Sequence, residues 1–273
     1  MSWMTFRIVP GLEREAVVAA LFEVGAQAVQ EDGAAIVTSF PPDVDVARVR
    51  AAVRAADATA SIGASTMPDV NWSEAWRDQI TSHDVGALVI TPPWLAHGMD
   101  PAHTVIIDPG MAFGTGDHPT TRGVLRLMPH FITPGITVAD LGAGSAALAI
   151  AAIKLGASKA AAIELDVDAI GNAEANVEAN GVVGRVQVIQ GDATTLLPLV
   201  APVGLIFANI ISSILIPLLP VMAAALPAGA HAILSGLLVE EQPQLRAHFA
   251  AGGWQEVSDD VEGSWWSVAL RRP

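Results

Sequence analysis

Thr137-Val-Ala-Asp140-Leu-Gly142-Ala-Gly144-Ser-Ala146-Ala-Leu148 is the stretch that decides the fold. A short apolar run ends on a carboxylate, turns through two glycines and passes into an apolar helical pattern. Gly142 and Gly144 let the backbone approach a ligand where a Cβ would intrude. Outward from this turn the same alternation repeats. Helices are predicted over Ser145–Leu155, Ala169–Asn180 and within Ser213–Leu226, and strands over Val138–Leu141, Ala160–Leu165, Val186–Gln190, Gly204–Ala208 and His231–Ser235. Such alternation predicts a doubly wound, mostly parallel α/β sheet of Rossmann-like type. Trp254–Leu270 reads as a closing antiparallel hairpin, Val257–Asp260 against Trp265–Leu270.

The N-terminal part has a different rhythm. Thr5–Val9 is strand-like, and Glu13–Val24 has helical apolar spacing. Ala26–Gln30 and Ala34–Phe40 suggest a hairpin turning at Glu31-Asp32-Gly33, followed by a helix at Val46–Ala56 and a strand within Thr59–Thr66. The order βαββαβ predicts a small ferredoxin-like α+β domain. The expected division is therefore a small domain over 1–66, a linker over 67–84 with a connecting helix at Trp72–Ile80, and the α/β domain over 85–273, in which Leu88–Thr91 is a further strand.

Bulk properties narrow the chemistry. The chain has 273 residues, 52% of them hydrophobic, and no cysteine, so neither a disulfide framework nor a thiolate nucleophile is available. The histidines are scattered without ligand spacing, and no metal site is expected. Ala193–Val239 lacks Asp, Glu, Lys and Arg, but Pro198, Pro202, Pro217, Pro220 and Pro227 interrupt it. Two buried parallel strands around a helix explain it better than a membrane span. Met1–Glu15 contains no long apolar run and reads as no signal peptide. A net charge of −14 disfavours direct binding to a nucleic-acid backbone and suits a basic protein partner.

The cofactor follows from the strand ends, where ligands bind in open α/β sheets. Glu164 lies 22 residues beyond Gly142, the distance at which a carboxylate reaches ribose hydroxyls. With Ala147 in the third place the turn also satisfies the dinucleotide fingerprint, which leaves NAD as an alternative. Asp140 weighs against it, because a carboxylate there repels a pyrophosphate. S-adenosylmethionine carries instead an ammonium and a sulfonium, which Asp140 attracts. Asp192, after the third strand, is placed to accept the adenine amino group, and Asn209, after the fourth, to orient an amine towards a methyl group.

Upstream stands Asp108-Pro-Gly-Met-Ala-Phe113-Gly-Thr115-Gly-Asp-His118-Pro-Thr-Thr121. This string, with Trp72-x-x-x-Trp76-Arg77, the glycine turn through Gly156, Glu164-Leu-Asp166, Asn176–Gly181 and Ala208-Asn209-Ile210, resembles the bacterial ribosomal protein L-eleven methyltransferase (PrmA) family from about Asn71 to the C-terminus. The resemblance implies a class I S-adenosylmethionine-dependent protein N-methyltransferase. It implies transfer to lysine ε-amines and the N-terminal α-amine of a large-subunit ribosomal protein, recognised by the small domain. It also implies that Thr121, Gly142, Glu164 and Asn209 contact the cofactor, beside Gly144, Asp140 and Asp192 expected there from the strand ends. Phe113–Gly116, including Thr115, would close over its methionine end, with Phe113 shielding the site. Such an enzyme is expected to be a cytoplasmic monomer without membrane attachment.

Two departures from the family pattern carry expectations of their own. The family usually has glycine where Ala146 stands, so Ala146 is expected at negative φ. Glu164 replaces the common aspartate, which lengthens the arm to the ribose by one methylene. His118 is expected to bond the loop backbone ahead of Pro119 rather than to carry protons. Trp72 and Trp76 are expected to pack as one helix face. The alternatives are a lysine methyltransferase of another protein, such as the electron-transfer flavoprotein β-subunit, an RNA methyltransferase, and a non-catalytic S-adenosylmethionine-binding protein.

Overall fold

The structure is a computed structural model that describes residues 3–26, 28–66, 80–110, 114 and 116–272, without the side chain of Glu31. The chain divides into two compact units, Met1–Gln79 and Ile80–Pro273. Residues 67–79, which include nearly all of the expected connecting helix and both Trp72 and Trp76, lie outside the described residues.

The first unit runs β1 (Met4–Val9), α1 (Arg14–Glu23), β2 (Gln30–Asp32), β3 (Ala35–Phe40), α2 (Val46–Ala56) and β4 (Ser61–Thr66). Its sheet order is β2-β3-β1-β4 with every pairing antiparallel, the ferredoxin-like arrangement. Helix α2 has the predicted limits because its ends are written locally. Asp45 caps it by accepting from the N–H groups of Ala47 and Arg48 at 2.9 and 3.2 Å, and Asp57 leaves helical geometry with φ −146°. Strand β2 is shorter than expected and shifted, since pairing with β3 begins only at Gln30 and extends to Asp32. Phe6, Ile8, Leu21, Ile36, Phe40, Val49 and Val53 form the core, with Phe6 and Phe40 edge to face at 5.5 Å.

Helix α1 begins without a side-chain cap of its own. Asp57, from the far side of the unit, supplies the acceptor: Oδ2 takes the N–H groups of Gly11, Leu12 and Glu13 at 2.8, 3.0 and 3.2 Å. Its Oδ1 accepts from Thr59 N at 2.9 Å and Thr59 Oγ1 at 2.5 Å. Gly11 is required at this crossing, because a Cβ there would lie 2.0 Å from Thr59 Oγ1.

The second unit opens with a three-stranded sheet absent from the sequence expectations except for its middle strand: β5 (His83–Val85), β6 (Leu88–Thr91) and β7 (Thr104–Ile106). Then follow α3 (Pro119–Leu127), β8 (Thr137–Leu141), α4 (Ala147–Lys154), β9 (Lys159–Glu164), α5 (Val167–Ala179), β10 (Val186–Gln190), α6 (Ala193–Val200), β11 (Leu205–Asn209), α7 (Ser212–Ala225), β12 (His231–Leu238), α8 (Gln242–Ala251), β13 (Gln255–Glu262) and β14 (Trp265–Arg271). The large sheet has the order β10-β9-β8-β11-β12-β14-β13. Strands β8 to β12 are mutually parallel and β14 pairs antiparallel with both neighbours.

Alternating side chains of the sheet feed two cores. Leu205, Phe207 and Ile233 face the side covered by Val124, Leu148 and Val177 of α3, α4 and α5. Ile206, Ala208 and Leu234 face the side covered by Leu197, Leu215 and Leu245 of α6, α7 and α8. The uncharged stretch 193–239 thus folds as α6, β11, α7 and β12. Among the described residues no helix is long and apolar enough to cross a membrane.

The sheet order reverses between β8 and β11, where the register pairs Asp140 with Phe207 and Leu141 with Ala208. The glycine turn that leaves β8 and the Asn209–Ile211 segment that leaves β11 therefore emerge side by side. Ligands bind at such a switch point.

Candidate active site

The turn after β8 keeps its backbone in left-handed conformations, with Gly142 at φ +68° and Gly144 at +51°. A Cβ on Gly142 would lie 2.6 Å from Ile210 Cγ2. Ala146, expected at negative φ, sits instead at φ +62° as the N-terminal cap residue of α4. The reason is geometric: Ala146 N must donate to Ala143 O at 2.8 Å while Ala146 O receives Ile150 N at 2.9 Å, so the turn imposes its shape on whichever residue stands there. A left-handed alanine costs roughly 1–2 kcal/mol, and the methyl is fully buried in compensation.

Glu164 braces the turn. Its Oε2 accepts from Gly144 N at 2.7 Å and its Oε1 from Asp166 N at 2.8 Å. Each oxygen keeps a second lone pair for a hydroxyl. Beyond it a cavity of about 520 Å³ opens, lined by Gly142, Glu164 and Asp192 together with apolar Leu165, Ile210 and Ile214. Asp192 caps α6, its Oδ1 accepting from Thr194 N and Oγ1 at 2.7 and 2.6 Å, and these bonds hold its carboxyl below the usual carboxylate range. The apolar walls suit a flat heterocycle, and the carboxylates suit hydroxyl and amino groups around it.

Asp140 lies behind the turn and is 1% exposed. Its Oδ2 accepts from Ala149 N at 3.0 Å, while Oδ1 is buried with no partner among the described residues. Burial pushes this carboxyl up to about 8, against the Ala149 hydrogen bond and with help from the charge of Glu164. A buried carboxylate oxygen without a donor favours a cationic or hydrogen-bond-donating ligand.

A second cavity of about 270 Å³ is lined by His118, Thr120, Asn209, Ile210, Ile211, Gly236 and Trp265. Ile210 lines both cavities and separates them. It is gripped by β12: Ile210 N donates to Ser235 O at 3.1 Å, and a Cβ on Gly236 would lie 2.7 Å from Ile210 O. Asn209 Nδ2 donates to Thr121 Oγ1 at 3.3 Å, and its Oδ1 is buried without a partner among the described residues. His118 accepts at Nδ1 from Thr120 N at 3.4 Å, caps α3 and meets Trp265 edge-on at 4.8 Å. Burial, then the charge of Arg122, lowers its pKa, so the ring is neutral at pH 7. The role is structural, but the bond goes to Thr120 in the first helical turn beyond Pro119 rather than to the loop ahead of it.

Gly142, Glu164 and Asp192 thus share one cavity, Asn209 lines the second and bonds Thr121, which does not line it, and Asp140 and Gly144 support the turn. Phe113 and Thr115 lie outside the described residues. Sequence reasoning missed Ile210 as the partition and Trp265 as a wall. Ile210 follows Asn209 directly, but its contact with Gly142 depends on the register between β8 and β11.

Over residues 11–273 the sequence matches the family described as ribosomal protein L11 methyltransferase (PrmA). The chain belongs to this family. Among its relatives is the ribosomal protein L11 methyltransferase of Chloroflexus aurantiacus, 38% identical over 232 residues that span 76% of this chain and 71% of that one. The protein of the same name from Thermus thermophilus is 38% identical over 205 residues, 75% of this chain and 78% of its own length. The crystal structure of ribosomal protein L11 methylase from Lactobacillus delbrueckii subsp. bulgaricus superposes with a TM-score of 0.64 at 28% identity, over 71% of this chain and all (100%) of that one. S-adenosylmethionine fits the site of this family member. Asp140 Oδ1 and Asn209 Oδ1 are buried without partners among the described residues, which suits a ligand that is cationic and donates hydrogen bonds, and Gly142, Glu164 and Asp192 line one cavity with apolar walls.

Proposed function

We propose that this methyltransferase modifies lysine ε-amines and the N-terminal α-amine of ribosomal protein L11, and that its small N-terminal unit recognises that protein. The observation that carries the reading is the buried, unpartnered Oδ1 of Asn209, a residue that lines a cavity sharing Ile210 with the larger one. The larger cavity takes the adenosine end of S-adenosylmethionine, between Glu164 at the ribose and Asp192 at the adenine. The smaller cavity takes the acceptor amine.

S-adenosylmethionine supplies an electrophilic methyl group on a sulfonium. The protein has to supply alignment and dryness. Asn209 Oδ1 accepts an N–H of the neutral amine and so directs the nitrogen lone pair, while Thr121 fixes the amide from the other side. Lysine in water has a pKa of about 10.4, and burial between Ile210, Ile211 and Trp265 lowers it towards the neutral, nucleophilic form. His118 has Nδ1 bonded into the helix cap, so it stiffens the wall rather than serving as the base. The family resemblance assigns Phe113 to shielding the methyl group from water and Thr115 to the methionine end.

The relatives named for a ribosomal protein favour this substrate over the electron-transfer flavoprotein β-subunit. The same reading places the enzyme in the cytoplasm, with a protein and not a nucleic acid as its direct partner. Incubating purified, unmethylated ribosomal protein L11 with enzyme and S-adenosylmethionine tests it. Mass increments of whole methyl groups on lysines and the N-terminus are expected, and an unchanged substrate mass in the presence of cofactor-binding enzyme would exclude it.

A further inference from the structure

Helix α5 carries Asn172 and Asn176, and Asn180 closes its C-terminus, a four-residue spacing that places all three on one face. Each meets the backbone of the extended segment that continues β7. Asn180 Oδ1 accepts from Ile106 N at 2.9 Å and Nδ2 donates to Ile106 O at 2.6 Å. Asn176 Oδ1 accepts from Asp108 N at 2.8 Å, and its Nδ2 donates to Ser145 O at 3.1 Å. Asn172 Nδ2 donates to Asp108 O at 3.1 Å and lies 2.5 Å from the position a Cβ on Gly110 would take.

The match is one of pitch. Four helical residues advance about 6 Å, and two extended residues about 6.6 Å. The asparagines therefore meet residues 106, 108 and 110 in step, antiparallel to them. A carboxamide offers a donor and an acceptor together, as a neighbouring strand does. Among the described residues β7 pairs only with β6, so the amides occupy its other edge.

Asn176 differs from the other two, because it also holds the glycine turn through Ser145 O and is 1% exposed. Ser145 in turn donates from Oγ to Gly114 O at 2.7 Å. One buried amide thus ties Asp108 to the turn after β8, and Ser145 of that turn holds Gly114. We infer that Asn176 is a positioning residue for the cofactor, setting the separation of these two segments and hence the seat of its methionine end. The inference rests on the assignment of the site to S-adenosylmethionine.

The test uses the full chain and three ligands: S-adenosylmethionine, S-adenosylhomocysteine and adenosine. Asn176→Asp keeps the acceptor for Asp108 N but turns an oxygen towards Ser145 O. It is expected to weaken both methionine-bearing ligands at least tenfold, to leave adenosine within twofold, and to raise KM for the cofactor with kcat retained at saturation. Asn180→Asp, which loses a donor on the same helix but not at the turn, is expected to leave all three affinities within twofold. Unchanged affinity for S-adenosylmethionine in Asn176→Asp, or equal loss for all three ligands, would overturn the inference. Should Asn176→Asp not fold, Asn176→Ser, which is shorter and loses the reach to Ser145 O, decides: a selective loss for the methionine-bearing ligands supports the inference, and no selective loss overturns it. Failure of the unaltered chain to bind S-adenosylmethionine would overturn the cofactor assignment itself, and the inference with it.

Discussion

Asn209 donates from Nδ2 to Thr121 Oγ1 at 3.3 Å, a contact between residues 88 positions apart that leaves the amide oxygen of Asn209 buried and unpartnered. The bond engages the donor end of the amide. The acceptor end is left for a hydrogen-bond donor, which an attacking amine with N–H groups supplies.

Asn209→Ala is therefore expected to lower kcat by about 100-fold, the usual scale for losing a positioning contact at a reacting centre. Its thermal midpoint should move little, since Oδ1 contributes no bond to the fold and Nδ2 a single long one of 3.3 Å. Steady-state kinetics alongside a melting curve checks this. Undiminished turnover would remove Asn209 from the chemistry.

Asp140 gives cofactor binding a pH dependence. Its carboxyl is pushed up to about 8 by burial, above the ordinary aspartate value of 3.8 that it has in the unfolded chain. The folded protein therefore holds the extra proton, and the associated stability is complete below pH 4 and is lost as pH rises towards about 8. A cationic ligand favours the ionised form. Affinity for S-adenosylmethionine should accordingly rise by up to about tenfold per pH unit below 8 and level off above it. Asp140→Asn should flatten the profile, as calorimetric titrations between pH 6 and 9 would show.

Ala146 at φ +62° predicts an unusual substitution pattern. Ala146→Gly relieves backbone strain but removes a buried methyl worth about 0.8 kcal/mol, so the net change in unfolding free energy should stay within about 1 kcal/mol. Ala146→Val adds a β-branch where a left-handed backbone excludes it, and should cost about 2 kcal/mol or more. Urea denaturation of the two variants measures both values.

Asp57 concerns the small unit alone. Its hydrogen bond from Thr59, then those from the Leu12, Glu13 and Thr59 N–H groups, hold its carboxyl well below the usual range. A depressed folded pKa gives stability that is present above the unfolded value of about 3.9 and is lost as pH falls below it. Asp57→Ala should lower the unfolding midpoint of this unit at pH 7 and shrink its loss of stability on acidification. Binding of S-adenosylmethionine should remain as in the parent. Hydrogen exchange at α1, compared at pH 7 and pH 3, reports it.

The parallel strands were legible because each is a short apolar run that ends at a polar residue or glycine, as Val186–Gln190 is before Gly191. Strands β5 and β7 were not, because three residues are too few to show alternation. Helix α3 was hidden inside a string read for its chemistry, although His118-Pro119 is a cap followed by proline at the first helical position. Gly142, Glu164 and Asp192 could be placed from strand ends alone. Ile210, Trp265 and the asparagines of α5 could not, since their roles depend on which strand lies beside which. Ala146 shows the opposite limit: hydrogen bonds at both ends of one residue override its conformational preference.

Transfer of labelled methyl from S-adenosylmethionine into an extract of cells that lack this enzyme, with the products identified by mass spectrometry, tests the central claim most directly. The account predicts label on ribosomal protein L11, at lysines and the N-terminus, and its loss with Asn209→Ala. Label confined to another protein or to RNA, with ribosomal protein L11 unlabelled, would contradict it.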